Sequence, residues 1–134
     1  MFVYEIIRRQ IMRPTDSELE ILHVLWEHGP RTVRQVNDEL GQHRDIGYTT
    51  TLKLMQIMHE KRLLTRIEEA KSHVYTAALG EREAQETLID RFLETTFRGS
   101  ASALVMQVLG RHKASANELD EIKKLLNDLD NESH

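Results

Sequence analysis

The sequence predicts a mainly α-helical fold that carries one small β-hairpin. Helix-start signals occur three times, apolar residues recur at three- and four-residue spacing along most of the chain, and this spacing changes once to a strand-like pattern. A length of 134 residues is sufficient for one domain or for two small units. Because 40% of the residues are hydrophobic and 30% are charged, the composition is that of a globular protein rather than a disordered or fibrous one.

Three helices are predicted in the first half of the chain. Residues 15–18 form a capping box, in which the side chains of the first and last residues bind backbone N–H groups at the helix start, and Gly29-Pro30 ends that helix. A second box at 32–35 begins a shorter helix, which Gly41 ends. A third helix covers 47–61. Two short helices that lead through tight connections into a third form a helix-turn-helix arrangement.

A two-stranded hairpin is predicted next. Residues 63–67 and 74–78 are rich in Leu, Thr, Ile, Val and Tyr, and the polar stretch 68–73 separates them. This connection contains neither Gly nor Asn, the residues that tight hairpin turns favour. Three helices followed by a hairpin is the element order of a winged helix, so we predict an N-terminal winged helix-turn-helix domain over residues 14–78. Residues 1–13 would form an N-terminal extension.

The second half is predicted to form three more helices and a dimer interface. Gly99-Ser100 separates the first two helices, Gly110 ends the second, and a third capping box at 115–118 begins the last. A monomer of this size cannot bury their narrow apolar stripes, and apolar surface left in water costs about 25 cal/mol per Å². We therefore predict a three-helix dimerisation domain over residues 80–130 that forms a homodimer. Its predicted interface residues are Leu88, Phe92, Leu104, Val105, Val108, Leu109, Leu119, Ile122, Leu126 and Leu129.

The charge distribution indicates which half would meet an anionic partner. The formal net charge is −4, but residues 1–78 contain 11 basic and 11 acidic side chains, and the window 44–66 contains five basic and two acidic ones. An anionic partner should therefore bind the first half. The chain contains no Cys, which excludes disulfides and thiol chemistry and makes the reducing cytoplasm the expected location. No apolar run approaches the roughly 20 residues of a membrane helix, so no membrane insertion is expected.

Neither an enzyme nor a metal or cofactor site is expected. Seven His residues are present, but His23 and His28 lie about 140° apart around a helix and cannot share a metal ion. No Gly-rich phosphate loop or nucleophile motif occurs in the sequence. We interpret the histidines as surface or partly packed residues, and we assign no catalytic residue.

Short motifs in a fixed order give the sequence a family resemblance. The motifs are TDSELEIL at 15–22, Leu25-Trp26, the segment 32–40, YTTTL at 48–52 and VYT at 74–76. In this order they resemble the penicillinase-repressor family, the winged-helix repressors of β-lactamase and methicillin-resistance operons. The resemblance extends over about residues 14–129. The absence of Cys separates the chain from the copper-responsive branch of that family, which uses C-terminal cysteines.

The resemblance implies a homodimeric transcriptional repressor that binds a palindromic operator in double-stranded DNA, with helix 47–61 in the major groove. It also implies control of β-lactam-response or antibiotic-resistance genes. In the best-known members a membrane-bound sensor peptidase triggers cleavage within the dimerisation helices. The corresponding region here is Met106–Leu109, with Gln107 and Val108 where those members carry Asn-Phe. Two departures concern the wing: Arg62 stands where the family usually has Gly, and the wing turn lacks Gly.

The outward face of helix 47–61 provides the predicted base contacts. Thr51, Leu54, Met55 and Met58 occupy its inward face, which leaves polar side chains on the outer first turns, where they can reach base edges. The predicted base-contacting residues are Tyr48, Thr49, Thr50, Lys53 and Gln56. The predicted phosphate and wing contacts are Arg31, Arg34, Arg44, Arg66, Lys71 and His73. For each of them the alternative is an ordinary solvated side chain.

Two other functions fit the same sequence. A winged helix can serve as a protein-interaction module, a dimer scaffold without sequence-specific DNA contact, and the low net positive charge favours that alternative. A ligand-gated repressor would need an apolar pocket between the two domains. Affinities for specific and scrambled duplexes would separate a repressor from a scaffold, because only a repressor distinguishes them by orders of magnitude.

Overall fold

The computed structural model describes residues 13–133, so the predicted extension 1–13 lies, apart from Arg13, outside the described residues. Residues 13–133 form six helices and a three-stranded antiparallel sheet, which confirms the predicted mainly α winged-helix fold. The elements are α1 (Asp16–His28), β1 (Arg31–Thr32), α2 (Val33–Gly41), α3 (Tyr48–Glu60), β2 (Leu64–Glu69), β3 (Ser72–Ala77), α4 (Glu81–Phe97), α5 (Ala101–Arg111) and α6 (Ala116–Glu132). Across this part of the chain, no helix is both long and apolar enough to span a bilayer.

The predicted start signals of α1 and α2 are confirmed. The Thr15 N–H donates to Glu18 Oε1 at 2.9 Å, and the Glu18 N–H donates to Thr15 Oγ1 at 3.3 Å. Thr32 and Gln35 form the same reciprocal pair at 2.9 and 3.2 Å. At the start of α6, Ser115 Oγ accepts from the Glu118 N–H at 3.1 Å, but the reciprocal bond from the Ser115 N–H to the Glu118 side chain is not formed, so only half of the third predicted box is present. These bonds satisfy donors that have no partner inside a helix, so they fix where each helix begins.

The first three helices and the sheet enclose a hydrophobic core. Its buried side chains include Ile21, Leu22 and Leu25 from α1, Val33, Val36 and Leu40 from α2, Met55 and Met58 from α3, and Leu64 and Tyr75 from the sheet. Trp26 joins the core to the chain after the sheet, since its Nε1–H donates to the Leu79 carbonyl at 2.9 Å. Each buried apolar side chain contributes about 1.5–3 kcal/mol, so this core is the support on which α3 rests.

A buried ion pair connects the start of α1 with the end of α3. The Glu18 side chain is 3% exposed and the Lys61 side chain 28% exposed. Lys61 Nζ donates to Glu18 Oε1 at 2.6 Å, and the same oxygen accepts from the Thr15 N–H. Protein groups thus replace the water that the buried carboxylate has lost, which offsets the cost of its burial.

The sheet contains one strand more than the predicted hairpin, in the order β1-β3-β2. β1 is two residues long and pairs antiparallel with β3, with Arg31 opposite Tyr75 and Thr32 opposite Val74. Two residues offer too little alternation of apolar and polar positions to be recognised as a strand, so periodicity could not detect β1.

The hairpin is longer than predicted because its turn is shorter. β2 and β3 pair from Leu64 opposite Ala77 to Glu69 opposite Ser72, which leaves Ala70-Lys71 as a two-residue connection. Both connecting residues have positive φ, 49° and 67°, as a type I′ turn requires. The predicted strand ends were wrong because a turn without Gly or Asn gives no signal of its position.

Arg62 follows α3 in a conformation that favours glycine. Its φ is 67°, its N–H donates to the His59 carbonyl at 3.1 Å, and the Leu63 N–H donates to the Met58 carbonyl at 2.9 Å. These two bonds define a Schellman motif, and the burial of Met58 and Leu63 supplies its hydrophobic contact. This position of the motif is usually occupied by Gly, because a Cβ at positive φ is strained. Arg62, which stands where the resembled family usually has Gly, therefore occupies a strained backbone position.

Replacing Arg62 by glycine should stabilise the winged helix. Glycine removes the steric cost of a Cβ at positive φ, about 1–2 kcal/mol, while its greater freedom in the unfolded chain cancels part of that gain. We expect the free energy of unfolding to rise by about 1 kcal/mol, measured by urea denaturation with Trp26 fluorescence. Arg62→Ala removes the guanidinium but keeps the strain, so equal gains in both variants would contradict the backbone explanation.

The chain divides into two compact units, and the boundary falls after Asp90, within α4. In the second unit, α5 and α6 contain no buried residue. α5, with 11 residues, is short enough to have only marginal stability in isolation. α5 continues through Gly110 to Arg111, so the predicted end at Gly110 was wrong; a glycine in the last turn costs only about 1 kcal/mol and does not by itself end a helix.

Candidate nucleic-acid interface

α3 has a buried face and an exposed face, as its spacing predicts. Thr51, Met55 and Met58 are buried, and Leu54 is half-buried. The exposed residues are Tyr48, Thr49, Thr50, Lys53 and Gln56, together with Ile57 and Glu60. All five predicted base contacts thus lie on the solvent side of one helix. Their hydroxyl, amide and ammonium groups are of the kinds that bond base edges in a major groove.

A groove beside this helix gathers three of the six predicted phosphate and wing contacts. It has a volume of about 390 Å³, and Arg34, Lys71 and His73 line it together with Tyr48. The Arg34 guanidinium carbon lies 5.5 Å from the centroid of the Tyr48 ring, a cation–π contact. Two basic side chains and a histidine therefore face one groove at the start of α3, which suits a run of phosphates.

The other three predicted phosphate contacts have partners of their own. The Arg31 guanidinium donates to the carbonyl of the preceding residue at 2.8 Å. Arg44 Nε lies 3.1 Å from the Glu20 carboxylate on α1, and Arg66 donates to the Tyr75 hydroxyl at 3.4 Å. The structure does not bring these three to the groove that Arg34 lines, although each guanidinium retains further N–H donors.

A polar contact joins α2 and α3 that spacing along the sequence does not predict. With the Asn37 amide oriented so that its nitrogen faces the surrounding acceptors, that nitrogen lies 2.7 Å from Thr51 Oγ1 and 3.2 Å from the carbonyl oxygens of both Ile46 and Gly47. Spacing placed Thr51 on the inward face of its helix. Which residue Thr51 meets depends on the angle between α2 and α3, and the spacing of residues along α3 does not define that angle.

Several histidines pack against aromatic rings. His23 meets Trp26 edge-on at a centroid distance of 5.0 Å, and His59 and His73 meet Tyr75 at 6.5 and 6.3 Å. Within residues 13–133, no group of three His, Asp or Glu side chains is placed to hold a metal ion. The rings therefore contribute to packing, and His73 also contributes to the groove.

The apolar residues predicted to form the dimer interface are largely uncovered in the single chain. The exposed members are Phe92, Val105, Val108, Leu109, Leu119, Leu126 and Leu129, and the half-buried members are Leu88, Leu104 and Ile122. Ile89, Met106 and Leu125 are exposed apolar residues that the prediction omitted. Contiguous exposed apolar surface is typical of interaction sites, so these residues are candidates for one.

The region that the family resemblance relates to cleavage is helical. Gln107 and Val108 lie within α5, and both are exposed. Their backbone amides are engaged in the helix, so cleavage there would require α5 to unfold locally. The absence of buried residues in α5 makes such unfolding inexpensive in free energy.

Comparisons with known proteins relate this sequence to transcriptional regulators. The sequence profile of the penicillinase repressor family matches residues 14–128. The chain is 29% identical over 123 residues to the transcriptional regulator BlaI of Mycobacterium tuberculosis, covering 90% of this chain and 88% of that protein. It is 25% identical over 118 residues to the penicillinase repressor of Bacillus licheniformis, with 88% and 92% covered. It is 20% identical over 113 residues to the methicillin resistance regulatory protein MecI of Mammaliicoccus sciuri, with 84% and 92% covered.

Proposed function

Because the chain belongs to the penicillinase repressor family, whose members are transcriptional regulators and not enzymes, we propose that it represses transcription as a homodimer bound to an inverted-repeat operator. In this proposal residues 14–78 bind DNA and residues 80–130 dimerise. The observation that carries it is the exposed polar face of α3 beside the groove lined by Arg34, Lys71 and His73. Base contacts give sequence preference, and phosphate contacts next to them fix the register.

Each group on the outward face of α3 has a suitable partner in a major groove. The Thr49 and Thr50 hydroxyls can bond a base or a phosphate, and their methyl groups can touch a thymine methyl. Lys53 can donate to a guanine edge or to a phosphate, and Gln56 can pair with adenine. In this proposal the first turns of α3 contact the bases, and the wing residue Lys71 contacts the flanking phosphates.

The uncovered apolar residues of the second unit support the homodimer. A two-fold interface uses the same surface on both subunits, so two copies of the stripes on α5 and α6 would cover each other. Two-fold symmetry then presents two α3 helices to the DNA, and the operator must repeat the half-site in inverted order.

The genes that the protein controls, and its release from the operator, are proposed by analogy with its relatives. The names penicillinase repressor and methicillin resistance regulatory protein support a role in β-lactam response or antibiotic resistance. We extend the proposal to inactivation by proteolysis at Gln107-Val108, with a membrane sensor peptidase acting upstream. The exposure of both residues and the lack of buried contacts in α5 support this, since cleavage there would cut through the proposed dimer interface.

Selection of binding sites from a random duplex pool tests the proposal. The full chain should enrich an inverted repeat whose half-site centres lie about one or two helical turns, or ~10 or ~20 base pairs, apart. Enrichment of a single non-repeated site would contradict the symmetric dimer. No enrichment at all would favour the scaffold alternative.

The salt dependence of binding tests the individual contacts. Lys53→Ala and Lys71→Ala should each weaken binding to the selected duplex and reduce the slope of log K against log salt by about 1, because each removes one counterion-releasing contact. Lys113→Ala, which lies outside the winged helix, should leave the slope unchanged. Unchanged slopes for Lys53→Ala and Lys71→Ala would exclude both residues from the interface.

A further inference from the structure

We infer that Asn37 and Thr51 act as a positioning clamp that sets the orientation of α3 for base reading, an inference that rests on the proposed DNA-binding function. Thr51 is fully buried, with 0% of its surface exposed, so it cannot touch DNA itself. Any effect of Thr51 on base selectivity must therefore pass through the placement of its helix.

The clamp ties three parts of the helix-turn-helix together. The Asn37 amide, on α2, donates to Thr51 Oγ1 on α3 at 2.7 Å. The same amide nitrogen lies 3.2 Å from the carbonyls of Ile46 and Gly47, in the connection between these two helices. The Thr51 hydroxyl in turn donates to the Gly47 carbonyl at 3.4 Å. The Asn37 side chain on α2 thus bonds both the connection and the first turn of α3.

The rest of the α3 packing is less directional. The other fully buried side chains on α3 are Met55 and Met58. Methionine is flexible and fills a gap in many conformations, so it holds a helix in the core without defining its rotation closely. Gly47, the residue before α3, offers no side chain to cap the helix. The hydrogen bonds of the clamp are therefore buried directional contacts at the end of α3 where the proposed base-contacting residues lie, whereas the Arg34–Tyr48 contact there involves an exposed ring.

Base reading is sensitive to this placement. Hydrogen bonds weaken steeply once their distance or angle departs from the favourable range, and a good base contact distinguishes the wrong base by roughly 5- to 150-fold in affinity. Phosphate contacts by long basic side chains tolerate a shifted helix better. Loss of the clamp should thus lower the preference for the selected sequence while leaving nonspecific binding nearly intact.

Two variants at position 51 separate positioning from stability. Thr51→Val keeps the shape but loses the hydroxyl, whereas Thr51→Ser keeps the hydroxyl but loses a buried methyl group. Both should be less stable than the wild type in urea denaturation. The ratio of affinities for the selected and scrambled duplexes should fall by about tenfold or more in Thr51→Val and stay within about twofold in Thr51→Ser.

A matched pair of asparagine variants completes the experiment. Asn37→Ala should lower the ratio as Thr51→Val does, while Asn127→Ala, on the exposed surface of α6, should not. If Thr51→Val and Thr51→Ser lower the ratio equally, or neither does while the wild type discriminates, the clamp is overturned and the proposed function stands. A wild type that fails to distinguish the duplexes would overturn the proposed function, and the clamp with it.

Discussion

Replacing Leu126 by glutamate is expected to lower the affinity for the selected inverted-repeat duplex by about 100-fold or more. Leu126 is 58% exposed in the single chain, so the charge should not unfold the subunit. In a two-fold interface the substitution occurs once in each subunit, and both carboxylates would be buried without partners. A dissociated subunit binds one half-site only and loses the gain from simultaneous engagement.

Sedimentation and binding measurements check this result together. The variant should sediment as a monomer at micromolar concentration, and its affinity for an isolated half-site should match that of the wild type. Asn127→Glu places the same charge at the next position of α6 and serves as the control. A Leu126→Glu protein that stays dimeric would remove this part of α6 from the interface.

Replacing Lys61 by methionine is expected to lower the free energy of unfolding by about 3 kcal/mol. The change leaves the Glu18 carboxylate buried without its counter-charge, and the neutral side chain cannot donate to the oxygen that Lys61 Nζ now contacts at 2.6 Å. Lys61 is partly exposed, so in the variant water can reach the Glu18 carboxylate and solvate it in part. The loss of stability should therefore lie at the lower end of the range for broken buried ion pairs.

The double variant Glu18→Gln/Lys61→Met should recover most of that loss. A glutamine at this position removes the charge but can still accept from the Thr15 N–H, as Gln35 does from the Thr32 N–H in α2. Urea denaturation followed by Trp26 fluorescence measures both proteins. A double variant as unstable as Lys61→Met alone would show that the hydrogen bonds of Lys61, rather than its charge, stabilise this contact.

The winged helix was predictable because its signals are local. The boxes at Thr15 and Thr32 lie within four residues each, and the inward residues of α3 repeat within single turns, so spacing was enough to assign the elements and the outward face. The short strand β1 and the turn at Ala70-Lys71 carry no such local signal. β1 is held by its pairing with β3, and the turn is held by the pairing of β2 with β3 on either side of it. Both pairings are seen only in the fold.

Contacts between elements were the part of the site that sequence could not supply. Arg44 was assigned to phosphate because it is a basic loop residue, but the fold also brings it within 3.1 Å of the Glu20 carboxylate. Asn37 carried no assignment, since nothing in its neighbourhood along the chain indicates that it meets Thr51. Both depend on the angle and offset between packed helices, which emerge only when the whole core is assembled.

The backbone at the tip of the hairpin limits how the protein can be engineered. Lys71 holds φ at 67° where glycine would relax the chain, yet glycine would also remove a positive charge from the groove. A screen that selects only for heat resistance would therefore favour variants that have lost part of the proposed phosphate contact. Screens for a sturdier version of this protein should score retention of duplex binding alongside melting temperature.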